Sequence, residues 1–138
     1  MTTAPPAVLE TVLYAHDLAA AEAFYNRLLD LEPYVRKEGR HVFYRLASQM
    51  LLIFNPEATQ MPQSGPLPVP PHGAEGEGHV CFAASASEIE EWRRRLADMG
   101  VEIESDFEWP TGGRSIYVRD PAGNSVEFAE PRIWGLGS

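Results

Sequence analysis

A single cysteine, Cys81, stands in the whole chain, so no disulfide can form within it, and the expected setting is a reducing cytoplasm. Long apolar runs are also missing. No stretch reaches the roughly 18 residues that a membrane-spanning helix needs, and the N-terminal part has no basic-then-apolar leader pattern. Basic residues are few: 11 Lys and Arg face 20 Asp and Glu, a formal charge of −9. That balance excludes nucleic acid and an anionic membrane surface as expected partners, since both need a basic patch. It suits a cationic ligand or a metal ion. At 138 residues the chain is long enough for one compact domain that buries roughly two-thirds of its unfolded surface. Its 44% hydrophobic and 22% charged residues are ordinary for a globular protein.

What is present is pattern. The run 112–128 reads as a β-hairpin, with alternating residues on either side of a turn built from Asp120, Pro121, Gly123 and Asn124. Beyond the turn, Val126 and Phe128 share one face, while Ser125, Glu127 and Ala129 share the other. A carboxylate between two large apolar neighbours is either solvated or deliberately placed.

From the N-terminus, a strand is expected over 8–15, with Glu10, Val12 and Tyr14 on one face. Asp17 caps a helix whose apolar positions Leu18, Ala21, Phe24, Tyr25, Leu28 and Leu31 fit the 3.6 period, and Pro33 ends it. Strands follow over 34–37, 41–47 and 50–54. Residues 56–78 are rich in Pro and Gly and lack any period, as befits a linker that joins two modules or covers a site. The pattern then restarts. A strand at 79–83 precedes a helix with Ser87 and Glu90 as a capping box and Ile89, Trp92, Leu96 and Met99 as its apolar stripe, ended by Gly100. Three strands follow, over 101–105, 115–119 and 124–129.

The order strand–helix–strand–strand–strand therefore appears twice. Glu10 and His79 open the two copies 69 residues apart (79 − 10), and the caps Asp17 and Ser87 lie 70 apart (87 − 17). Such an internal repeat predicts an α+β fold: two tandem βαβββ modules, about 8–55 and 79–131, forming a curved half-barrel sheet with helices on its outer face. Neither half covers its own sheet, so the halves pack together or pair with a second chain.

A central cleft between such sheets would be faced by Glu10, His79 and Glu127, the first two at equivalent places in the repeat. Three residues of ligand type on separate rigid strands are the arrangement a divalent cation needs. Taken singly, each also has a bland reading: a solvated strand end, a hydrogen-bonded core histidine, a surface glutamate.

The run Asp120-Pro121-Ala122-Gly123-Asn124 with Val126-Glu127, the opening Glu10…Asp17-Leu18 with Phe24-Tyr25, and Gly78-His79-Val80 resemble the vicinal oxygen chelate superfamily. This group includes glyoxalase I, extradiol dioxygenases, thiol transferases of fosfomycin resistance, methylmalonyl-CoA epimerase and bleomycin-binding proteins. The resemblance spans about residues 8–131 and implies paired βαβββ modules, often in a dimer, with the family's ligand positions on Glu10, His79 and Glu127. Two departures stand out. Glu10 replaces the histidine of many members, so the iron set of the extradiol dioxygenases is not reproduced. Aligning Phe54 with Phe128 also puts Ile53 where some members carry a fourth ligand.

One histidine and two glutamates suit Mn²⁺, Fe²⁺, Ni²⁺, Mg²⁺ or Zn²⁺ and leave positions for water and a chelating substrate. The chemistry is Lewis-acid stabilisation of an enolate or another oxyanion, with Glu127 as the catalytic carboxylate. Around it, Arg114 either binds a substrate carboxylate or is a solvated strand-end charge. Ser115 and Tyr117 share a face and either meet a ligand or pack. Trp109 is placed as a pocket wall, with Trp134 of the tail in the same role from a partner subunit, and His72 of the linker as an acid–base group or a solvated residue. Cys81 reads as a small buried residue, and His16 and His41 as structural. Two functions follow: a metal-dependent lyase, isomerase, dioxygenase or transferase for a small oxygenated metabolite or natural product, or a non-catalytic binder of a drug or natural product.

Overall fold

Alternation on the first strand is met by a helix that needs a surface to cover. In the computed structural model, which describes residues 4–62 and 65–137, β1 (Glu10–Tyr14) runs into α1 (Leu18–Leu29). Asp17 caps α1, its carboxylate accepting from the Ala20 N–H at 3.0 Å. The helix stops before Pro33: Asp30 takes the left-handed conformation at φ 54° and leaves Leu31 outside, so the stop is a C-cap and not the proline. Then come β2 (Val35–Lys37), β3 (His41–Arg45) and β4 (Met50–Phe54), in the spatial order β1-β4-β3-β2. β1 and β4 are parallel and the other pairs antiparallel.

The expected linker begins with structure. Asn55 accepts from the Glu57 N–H at 3.1 Å and caps a single helical turn, α2 (Pro56–Thr59), with Pro56 in its first turn, where the missing N–H costs nothing.

The second half repeats the plan with β5 (His79–Ala83), α3 (Ala86–Asp98), β6 (Ser105–Glu108), β7 (Arg114–Arg119) and β8 (Ser125–Ala129), in the order β5-β8-β7-β6. A 3₁₀ turn, Pro131–Trp134, follows. The capping box lies two residues earlier than expected. Ala84 still bonds to the Ala129 carbonyl at 2.9 Å, so the chain leaves the sheet at Ser85, which exchanges bonds with Glu88 at 3.2 and 2.8 Å. β6 starts later than expected because the Val101 N–H is still tied to the Leu96 carbonyl of α3 at 2.9 Å, and strand pairing begins only at Ser105 opposite Tyr117.

The fold is α+β, with two four-stranded mixed sheets. Its backbone contacts divide into two compact units, the first ending at Glu75 and the second beginning at Gly76. In the first unit Leu13, Val42, Tyr44, Leu51 and Ile53 meet Ala21, Tyr25 and Leu28 of α1, all buried. Tyr44 satisfies its hydroxyl on Asn26 at 2.6 Å. In the second, Val80, Ile116, Val118, Val126 and Phe128 meet Ile89 and Leu96, and Trp92 stacks on Phe128 at 4.1 Å. Each fully buried aliphatic side chain is worth about 1.5–3 kcal/mol. The helix-side faces are thus taken up by packing, which leaves the opposite faces for other work. No helix among the described residues is long and apolar enough to cross a membrane.

Candidate functional site

The Asp120–Asn124 turn does more than reverse the chain. Asp120 Oδ1 accepts from the N–H groups of Ala122 and Asn124, both at 2.9 Å, and Gly123 takes φ 90°, which glycine adopts without strain. The Asn124 side chain is thereby held out to accept from the Gly78 N–H at 2.7 Å, and the Ser125 N–H reaches the Gly78 carbonyl at 2.9 Å. The turn therefore clamps the entry to β5, and the next residue after Gly78 is His79.

His79 lies opposite Ser125 and Cys81 opposite Glu127. On the face away from α3 the imidazole Nε2 is 3.1 Å from Glu127 Oε1, and the carboxylate is buried, only 6% exposed. Its other oxygen, Oε2, accepts from the Ser115 hydroxyl at 2.6 Å, and that hydroxyl accepts from the Trp109 indole N–H at 2.8 Å. Tyr117 sits directly opposite Glu127, and burial together with that carboxylate pushes its phenol above the usual value. Partial desolvation of the sulfur in an otherwise exposed residue, aided by the same charge, pushes the Cys81 thiol up to about 12. An open depression of about 320 Å³, lined by Ser105, Phe107, Tyr117, Arg119 and Ser125, adjoins this group.

The hydrogen bonds assign the imidazole. Its Nδ1 lies 3.1 Å from the Ser125 carbonyl, which can only accept, so Nδ1 carries the hydrogen. A neutral His79 then turns the lone pair of Nε2 on Glu127 Oε1, an acceptor facing an acceptor. A cation between or beside them resolves the conflict, whether a proton or a metal ion. Two cis ligands each about 2.1 Å from an octahedral ion sit about 3.0 Å apart, close to the observed separation. An imidazole tied through Nδ1–H to a carbonyl, and a carboxylate tied through one oxygen, are also what metal ligands require of their surroundings. The residues present fit a divalent ion as two of its ligands.

No group of three His, Cys, Asp or Glu side chains among the described residues is arranged to hold a metal ion. Glu10, the third expected ligand, is exposed and belongs to the first unit, where it opens β1 opposite Met50 as His79 opens β5 opposite Ser125. The same register makes Leu52, not Ile53, the counterpart of Glu127, and both are 6% exposed. Where the second sheet carries Ser115, Tyr117 and Glu127, the first carries His41, Phe43 and Leu52. This first-sheet face is a ring cluster. His41 stacks on Phe43 at 4.1 Å, Phe43 meets Phe54 edge-on at 5.2 Å, and the Arg40 guanidinium lies 5.4 Å from the Phe54 centroid. Burial, then the charges of Arg40 and Lys37, hold His41 below the usual imidazole value.

The remaining expected residues are scattered. Arg114 lies on the helix side of its sheet, where its solvent-accessible guanidinium meets Asp106 at 2.7 Å in a cluster that includes Arg93, away from Glu127. His72 is half-buried. Its backbone N–H bonds to the Thr59 carbonyl at 2.9 Å, its ring lies 4.7 Å from Phe54, and Nδ1 is 2.6 Å from the Tyr14 hydroxyl, all within the first unit. Trp134 ends the 3₁₀ turn and is exposed. Cys81 is open on the Glu127 face and not buried as expected. Period-2 alternation from Glu10 placed Tyr14 on its face, while Arg40 and Phe107 were missed as members of these faces; Arg40 sits in a turn and has no such signal.

Two βαβββ units with an imidazole and a buried carboxylate on one sheet face define a paired-module protein. The chain belongs to the Glyoxalase/Bleomycin resistance protein/Dioxygenase superfamily, whose sequence model matches residues 7–128. It is 44% identical to a lactoylglutathione lyase of Agrobacterium tumefaciens, with a TM-score of 0.91 over 97% of this chain and 100% of that one. A glyoxalase/bleomycin resistance protein/dioxygenase from Nocardioides is 25% identical, with a TM-score of 0.71 over 94% of this chain and 85% of that one. A glyoxalase/bleomycin resistance protein from Catenulispora acidiphila, 21% identical with a TM-score of 0.65 over 88% and 96% of the two chains, shares the fold. No match was found among curated proteins.

Proposed function

We propose that this chain is a divalent-metal-dependent enzyme of the glyoxalase type. It would act as a lyase on a small α-oxygenated compound that offers two oxygens for chelation. The observation that carries the reading is the facing pair of His79 Nε2 and Glu127 Oε1 at 3.1 Å, a pair in need of a cation. The likeness to the Agrobacterium lactoylglutathione lyase supports lyase chemistry and adducts of glutathione with an oxoaldehyde as the substrate class.

His79 and Glu127 would hold the ion, which would supply Lewis-acid polarisation of the chelated substrate. Glu127 is the catalytic carboxylate, its Oε1 the oxygen left to take a proton from the substrate carbon next to the carbonyl. Tyr117 and Phe107 orient the substrate on the second sheet face and exclude water from that side. His72 and Tyr14 offer a hydroxyl–imidazole pair to a ligand on the first. Arg40, which has no ion pair among the described residues, takes the carboxylate-binding role expected of Arg114. Exposed Val8, Leu9 and Trp134 support assembly as a homodimer, and the lone cysteine a cytoplasmic setting.

The ring cluster of the first sheet favours a second reading, a binder of a drug or natural product with no turnover. One experiment separates the two. Metal content of the purified protein is measured, and thioester formation from methylglyoxal and glutathione is followed by ultraviolet absorbance with and without added Zn²⁺, Ni²⁺ or Mn²⁺. Stoichiometric metal and metal-dependent turnover are expected. A protein that takes up no metal and turns over nothing, yet binds an aromatic natural product, would replace the enzyme with the binder.

A further inference from the structure

Ser115 and Trp109 suggest substrate contacts from sequence, yet both side chains are committed elsewhere. An indole N–H can only donate, so the Trp109 proton goes to Ser115 Oγ at 2.8 Å. That fixes the serine as acceptor from the indole, and its single proton goes to Glu127 Oε2 at 2.6 Å. Ser115 is fully buried, so no water competes for the hydroxyl, and the direction of the chain admits no reversal. Oε2 is held as an acceptor, and Oε1 is the oxygen left facing His79.

We propose that Trp109 and Ser115 are positioning residues that hold Glu127 with Oε1 presented to a cation. This rests on the cation-binding role given to Glu127 above. The backbone supports it independently. The 109–113 turn is closed by Trp109 N–H to Gly113 carbonyl and Gly112 N–H to Trp109 carbonyl bonds, at 2.8 and 2.9 Å, which bring the indole back over β7. Gly113 at φ 91° has no room for a side chain, since a Cβ there would lie 2.5 Å from Ile133. The C-terminal 3₁₀ turn thus braces the loop that aims Trp109.

The test is Ser115→Ala, Ser115→Thr and Trp109→Phe in the full chain, each stripped of metal and titrated with Zn²⁺ by calorimetry, with thermal melts as the check on folding. Loss of an outer partner of a metal ligand costs about 10- to 100-fold in affinity. Ser115→Ala is expected to lose that much, Ser115→Thr to recover most of it by keeping the hydroxyl, and Trp109→Phe to fall between. Equal zinc affinity across the folded variants would overturn the proposal. If Ser115→Ala fails to fold, the Thr and Phe variants decide. If the unaltered protein binds no zinc, the metal reading fails, and the relay is judged on the metal-free protein by NMR. A Trp109 indole proton slow to exchange there, and fast in Ser115→Ala, supports the relay; equal exchange sinks it.

Discussion

Replacing Glu127 by glutamine changes one atom of a buried side chain and inverts its relation to His79. The amide oxygen can keep the Ser115 hydroxyl bond, and the amide nitrogen can donate to the Nε2 lone pair that the carboxylate oxygen opposes at 3.1 Å. With the imidazole neutral and a chelator present, Glu127→Gln therefore exchanges an acceptor–acceptor contact for a hydrogen bond. The net worth of such a bond is about 0.5–1.5 kcal/mol. We expect the variant to be about 1 kcal/mol more stable than the parent, a rise of about 3 °C in Tm for a chain of this size. Zinc reverses the order. At one hundred times Kd it stabilises the parent by about 2.7 kcal/mol, while the amide variant, a poor ligand, gains little. Urea denaturation of both proteins in chelator and in zinc measures all four stabilities. The reasoning is refuted if Glu127→Gln is the less stable protein in chelator by more than about 1 kcal/mol. Glu127 would then be a structural ion-pair partner of His79 and not a ligand in waiting.

Two other consequences follow from the same geometry. Asn124→Ala removes the side chain that links Asp120 to Gly78 through bonds of 2.9 and 2.7 Å, in a fully buried residue. At about 1 kcal/mol for each of the two side-chain bonds lost it should destabilise the chain by about 2 kcal/mol and weaken zinc binding through a displaced His79, and unchanged zinc affinity in the folded variant would disconnect the turn from the site. His16 is hydrogen-bonded to Glu75 at 2.7 Å, which raises its imidazole above the usual value. The folded state then holds the proton more tightly, so the contribution is complete below the ordinary value and fades as pH rises through the folded one. NMR titration should place the His16 midpoint above 6.5 and return it towards 6.5 in Glu75→Gln; one midpoint for both proteins would remove Glu75 as the cause.

The strand–helix–strand–strand–strand repeat was legible in the sequence because period-2 and period-3.6 alternation report which side of an element is apolar. Helix-side faces dictate most of the buried residues, and the Asp120–Asn124 turn is written in residues whose backbone preferences are strong. Boundaries were less legible. Ser85, and not Ser87, caps α3 because one more strand bond holds Ala84, and Asp30, and not Pro33, ends α1.

Sequence by itself determined that Glu127 lies on the face opposite Val126 and Phe128, since alternation along one strand is a local property. Which groups meet that carboxylate is decided only by pairing between strands far apart in the chain. Register sets Tyr117 and Cys81 against Glu127, turns Arg114 to the other side and onto Asp106, and makes Leu52 the first sheet's counterpart of the carboxylate. Hydrogen bonds with a fixed donor, such as the Trp109 indole, then choose which oxygen is free, and that choice exists only once the chain has folded.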